Sequence, residues 1–124
     1  MPNFLIADDT PRKMDYLLSL LKKTSWKGKI LTADTCEGAI ELINKHKIDA
    51  AFVDYYIPST YGPSIIRHLK KSNPAARIAL VSSASNALNT AEARIAGAEA
   101  TISMSEDIFA TEKTLLELLN KWKS

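Results

Sequence analysis

The sequence predicts one α/β domain built on a parallel sheet, and three observations carry that prediction. Five short apolar runs recur along the chain, the segments between them have helical periodicity, and their boundaries hold residues that start and stop helices. The 124 residues are 46% hydrophobic with only four glycines and five prolines, enough to bury a core in one unit spanning 1–124.

The first run, Phe4 to Ala7, is a strand that ends in Asp8-Asp9, and Thr10 with Pro11 suits the cap and first residue of a helix. That first helix carries Met14, Leu17, Leu18 and Leu21 on one stripe. A second strand at Ile30 to Ala33 precedes a helix striped by Cys36, Ala39, Ile40 and Ile43. The third, Ala50 to Val53, runs into Asp54. Gly62-Pro63 then opens a shorter helix through Ile65, Ile66 and Leu69, which Asn73-Pro74 closes. The fourth strand, Ile78 to Val81, is followed by a helix with Leu88, Ala91 and Ile95 as its expected buried stripe and Gly97 as its stop. Ala100 to Ile102 is the fifth strand, and Leu115, Leu118, Leu119 and Trp122 stripe the last helix.

Composition excludes several functions. Sixteen basic and 14 acidic residues are spread along the chain, and the formal charge of +2 gives no electrostatic case for direct nucleic acid binding or a membrane surface. Cys36 is alone, so neither an intrachain disulfide nor a cysteine-based zinc site can form. The N-terminal apolar run is too short for a signal-peptide core, which leaves the cytoplasm as the expected compartment. His46 and His68 read as solvated residues, and the basic groups near Arg67 and Lys121 as solvated helix faces.

Ligands of open parallel sheets bind beyond the carboxyl ends of the strands. Asp8, Asp9 and Asp54 stand at such ends, with Ser82-Ser83 after strand four and Ser103-Met104 after strand five. Clustered carboxylates repel one another unless a cation sits among them, and Mg2+ is a hard ion that takes oxygen ligands. A carboxylate in such a place is also a nucleophile towards phosphorus. A flavin or nucleotide site fits poorly, because the loop after strand one is acidic and lacks the glycines that cradle a phosphate.

Over essentially its whole length the chain resembles the receiver domains of two-component response regulators. The resemblance rests on the acid pair Asp8-Asp9, on the D-x-x-x-P-x-x-x-G loop of Asp54, Pro58 and Gly62, and on an ungapped match from Asn73-Pro74 to Gly97-Ala98. It implies a flavodoxin-like, doubly wound (βα)5 fold with strand order 2-1-3-4-5. It further implies a phosphoacceptor at Asp54, with Mg2+ bound by Asp9 and Asp54, by Asp8 through water, and by the backbone carbonyl of Tyr56. Ser82 would be the switch hydroxyl, with Ser83 the runner-up. Apart from the resemblance, Tyr56 and Tyr61 stand in loops framing the pocket, and the Tyr56 side chain is expected to shield a phosphoryl group on Asp54 from water. The implied partners are a sensor histidine kinase or phosphotransfer protein and a downstream protein target that reads the fourth and fifth helices; a homodimer is compatible with the pattern. Such a domain signals and has no substrate turnover beyond transfer to, and loss from, its own aspartate.

Three positions depart from the family. Its strand-five lysine is replaced by Met104, seven residues after Gly97; the following proline is Ser105, and the aromatic switch residue is Thr101. No Lys or Arg lies between Arg94 and Lys113, so the sequence offers no local substitute. Loss of a charge-assisted hydrogen bond of roughly 1.5 to 3 kcal/mol corresponds to about one to two powers of ten in transfer or coupling. The alternative reading is therefore a degenerate receiver that binds a protein partner without being phosphorylated.

Overall fold

The structure, a computed structural model, describes residues 2–58, 60–83, 87–104 and 107–123. Strands β1 (Phe4–Ala7), β2 (Ile30–Ala33) and β3 (Ala50–Val53) join β6 (Arg77–Ser82) and β7 (Ala100–Ser103) in one parallel sheet, ordered β2-β1-β3-β6-β7. Between β3 and β6 lies an unforeseen antiparallel hairpin, β4 (Tyr56–Ile57) and β5 (Thr60–Tyr61). With the hairpin set aside, the five long strands run 2-1-3-4-5.

Helices α1 (Pro11–Lys23), α2 (Cys36–Lys45), α3 (Gly62–Ser72), α4 (Ala87–Ala96) and α5 (Ile108–Lys123) alternate with the long strands. Their starts follow local chemistry. Pro11 and Pro63 each stand in a first helical turn, and the Thr35 hydroxyl caps α2 by accepting from the Gly38 amide. Gly97 ends α4 with φ at 126°, a conformation that a side chain would strain.

Two apolar layers cover the sheet. Leu5, Ala51, Val53, Ile78 and Leu80 point into one, packed by Ile43 of α2, Ile65, Ile66 and Leu69 of α3 and Ala93 of α4. Phe4, Ile6, Phe52, Ala79 and Val81 point into the other, packed by Leu17, Leu20 and Leu21 of α1 and Leu115, Leu119 and Trp122 of α5. Burial of both faces explains why the central strands are unbroken apolar runs.

The fourth helix corrects the expected stripe. Leu88 and Ile95 are 67% and 83% exposed, and the buried residues are Asn89, Ala93 and Ala96. The small side chains of Ala93 and Ala96 form the face that α4 turns to the core, while the larger ones, which periodicity favours, face outward. None of the helices among the described residues is long and apolar enough to cross a membrane.

Candidate functional site

Parallel pairing sets the site. Ala7 stands opposite Val53, so the next residue of each strand, Asp8 and Asp54, emerges at the same level of the sheet edge. The ladder extends one step further, with the Asp54 amide donating to the Ala7 carbonyl at 2.9 Å and the Asp8 amide to Ala33 at 3.0 Å. Asp8 and Asp54 are therefore buried on rigid backbone, and Asp9 beside them is exposed.

One oxygen from each of Asp8, Asp9 and Asp54 lies within 4.8 Å of the others, as the sequence led us to expect. Asp8 Oδ1 accepts from the Thr10 amide at 2.8 Å, which turns the chain into α1. Asp54 Oδ1 accepts from the Tyr55 amide at 2.9 Å. A cleft of about 430 Å³ opens beside them, lined by Asp8, Asp9, Pro11, Met14, Thr32 and Asp34.

A fourth charged group completes the cluster and corrects the expectation that the pocket lacks a positive partner. Lys13, in the first turn of α1, places Nζ 2.8 Å from Asp8 Oδ2 and 3.0 Å from Asp54 Oδ1. Only 6% of it is exposed. The chain around Met104 holds no substitute cation, and the ammonium arrives instead from a segment ninety-one positions earlier. The sequence did contain a signal: Lys13 is four residues before Leu17 and eight before Leu21, on the buried stripe itself.

Burial pushes the Asp8 carboxyl above its ordinary pKa; Lys13 and the Thr10 amide oppose that shift, and the Asp54 charge adds to it. Three carboxylates against one ammonium leave negative charge in excess. The donor set suits a small hard divalent cation, which takes carboxylate oxygens and keeps waters.

The other expected residues lie around this centre. Ser82 is buried at the end of β6 and Ser83 is exposed. Tyr56 and Tyr61, facing each other across the hairpin, are exposed, while the Tyr55 ring is buried and its hydroxyl donates to Glu92 of α4 at 3.1 Å. The Pro58 carbonyl accepts from the Cys36 amide at 3.1 Å, which ties the loop after Asp54 to the start of α2. Met104 is partly buried against the α1 and α5 layer, its amide bonded to the Ser82 carbonyl at 2.9 Å. Thr101 is partly buried on β7, and Ser105 lies outside the described residues.

Gly62 is a glycine for a reason of space. A Cβ there would stand 2.0 Å from the Asp54 carbonyl oxygen, and the Gly62 amide donates to the Tyr55 carbonyl at 2.7 Å. Gly62→Ala is expected to cost about 1–3 kcal/mol as the loop is forced off Asp54, read as a lower urea midpoint. An unchanged midpoint would mean that the loop yields freely.

Comparison with known proteins gives one consistent picture. The model of the response regulator receiver domain family matches residues 4–110. The Fimbriae Z protein of Salmonella typhimurium is 29% identical over 104 residues, covering 84% of this chain and 50% of that protein, so the chain spans about half the length of this curated relative. Among solved structures, a CheY-like receiver domain protein from Methanospirillum hungatei superposes with a TM-score of 0.82 at 20% identity, covering 99% of this chain and 97% of that one. The phosphorylated cyanobacterial phytochrome response regulator RcpA gives 0.86 at 11% identity, over 99% of this chain and 94% of its own. At these identities the structural likeness speaks for the fold.

Proposed function

Because the chain belongs to the response regulator receiver family, we propose that its 124 residues form one receiver unit that accepts a phosphoryl group on Asp54 and signals through protein contacts at α4 and α5. The observation that carries this is the setting of Asp54. Its Oδ1 is engaged by both the Tyr55 amide and Lys13, so Oδ2 is the oxygen available to attack phosphorus. Burial at 7% exposure limits the water that competes with the phosphodonor.

The three carboxylates fit Mg2+, which Asp9 and Asp54 would hold directly, Asp8 through water, and the Tyr56 carbonyl as the receiver pattern implies; when bound, it would neutralise charge on the transferring group. Asp8 and Asp54 on the sheet ladder fix the direction of attack, and positioning is most of what this chemistry asks of a protein. Ser82, buried on the adjacent strand β6, is the hydroxyl that turns to the new phosphoryl oxygens, in preference to exposed Ser83. Leu88 and Ile95 of α4, with Ile108 and Phe109 of α5, present apolar side chains on the surface that a downstream protein would read.

The donor would be a histidine kinase or phosphotransfer protein. A free Cys36 thiol suits the reducing cytoplasm in which the exchange is proposed to occur. The domain turns over nothing beyond its own acyl phosphate. The second reading, a binding module that is never phosphorylated, is favoured by Met104 and Thr101. Incubation with acetyl phosphate and Mg2+, followed by intact mass, separates the two: one phosphoryl adduct mapping to Asp54 is expected. Its absence under conditions that label an ordinary receiver would favour the binding module.

A further inference from the structure

We infer that Lys13 is the phosphoryl-binding cation of this receiver, delivered from α1 to replace the strand-end lysine whose position is Met104. The inference rests on the proposed phosphorylation of Asp54.

Two physical terms oppose placing a lysine where Lys13 stands. Lysine is almost never fully buried unless paired, and a cation in the first turn of a helix faces the positive end of the macrodipole. Its neighbours Arg12 and Asp15 take the ordinary course and lie in solvent. Lys13 instead runs along the buried stripe of α1 to Asp8 and Asp54, whose charges offset both terms. The helix thus holds its ammonium 3.0 Å from the proposed phosphoacceptor before any phosphoryl group arrives.

Transfer from an acyl phosphate changes what Lys13 faces. The bond between phosphorus and the acyl oxygen of acetyl phosphate breaks, with its electron pair leaving on acetate, as the bond from Asp54 Oδ2 to phosphorus forms. No proton is moved. Asp54 Oδ1 then becomes an ester-like carbonyl without a full charge, while phosphoryl oxygens appear beside it. The ammonium sits at the end of a flexible four-carbon stem, so it can pass from Oδ1 to those oxygens while keeping Asp8 as its second partner. Met104 supplies no competing donor, since its side chain packs against the apolar layer that contains Leu17 and Ile6.

The same ion pairs make Lys13 a competitor for cations at Asp8 and Asp54, so the two roles can be told apart by sign. In Lys13→Met, Mg2+ titrated calorimetrically without phosphodonor is expected to bind several-fold more tightly. Acetyl phosphate labelling, followed by intact mass, is expected to slow about ten- to hundredfold. Adding Met104→Lys to Lys13→Met is expected to restore most of the labelling rate. Should Lys13→Met fail to fold by circular dichroism, Lys13→Gln, which keeps an amide donor for both carboxylates, reads the same loss. Labelling of the folded variant at or above the wild-type rate would overturn the inference and leave Lys13 as a mere occupant of the pocket. A wild-type protein that takes no label would instead overturn the reading of Asp54 itself, and the inference with it.

Discussion

Asp54→Asn is expected to abolish the phosphoryl adduct formed with acetyl phosphate while leaving the fold intact. Asparagine has the same shape as aspartate, and its side-chain oxygen can still accept from the Tyr55 amide and Lys13, the two donors that hold Oδ1. What disappears is the anionic oxygen that attacks phosphorus, and no neutral amide replaces it in that role. Lys13 keeps its ion pair with Asp8, so the buried ammonium is not stranded. Intact mass before and after incubation, with a melting curve for each protein, reads both halves. An equal adduct in the variant would move the acceptor to another carboxylate, with exposed Asp9 the first to examine.

The second large effect concerns the layer beneath the site. Phe52 is two residues before Asp54, fully buried, and its ring meets Phe4 edge-on at 4.8 Å and Trp122 at 5.8 Å. Phe52→Ala removes a large apolar side chain from a layer with little room to collapse, at a cost of about 3–5 kcal/mol. Against a total stability of roughly 5–15 kcal/mol for an ordinary domain, that is enough to leave much of the population unfolded at moderate temperature. Urea unfolding should register a large drop in midpoint, with a smaller one for Phe52→Leu. A loss below about 1 kcal/mol would mean that the aromatic cluster contributes far less than its burial implies.

Much of this was legible in the chain because burial writes itself into runs and periods. All five long strands were readable as apolar segments, and Asp8, Asp9 and Asp54 could be placed on one edge because a parallel sheet gathers the carboxyl ends of its strands. Two features were read wrongly for related reasons. On α4 the larger apolar residues Leu88 and Ile95 outweighed the alanines, yet the face that the helix turns to the core is formed by the small side chains of Ala93 and Ala96. Lys13 is not legible as a site residue because a lysine is ordinarily a surface residue, and its partners are set by three-dimensional proximity rather than by spacing from Met104. The hairpin of Tyr56–Ile57 with Thr60–Tyr61 is too short to leave a period.

The two-sided burial of the central strands has a consequence for how accurately the charges are aligned. Along β3, Phe52 belongs to one layer and Val53 to the other, and along β1, Phe4 and Leu5 divide in the same way. Sliding either strand by one residue would drive its aromatic ring into an aliphatic slot on one face and leave an aliphatic residue in the slot of the ring on the other. A slip of β1 would also carry Asp8, and a slip of β3 Asp54, about 3.3 Å along the edge, as far as either contact with Lys13 spans. The alternation of side-chain sizes beneath the site is thus a vernier scale: the volumes of buried rings and methyl groups set the spacing between the charged atoms at the edge of the sheet.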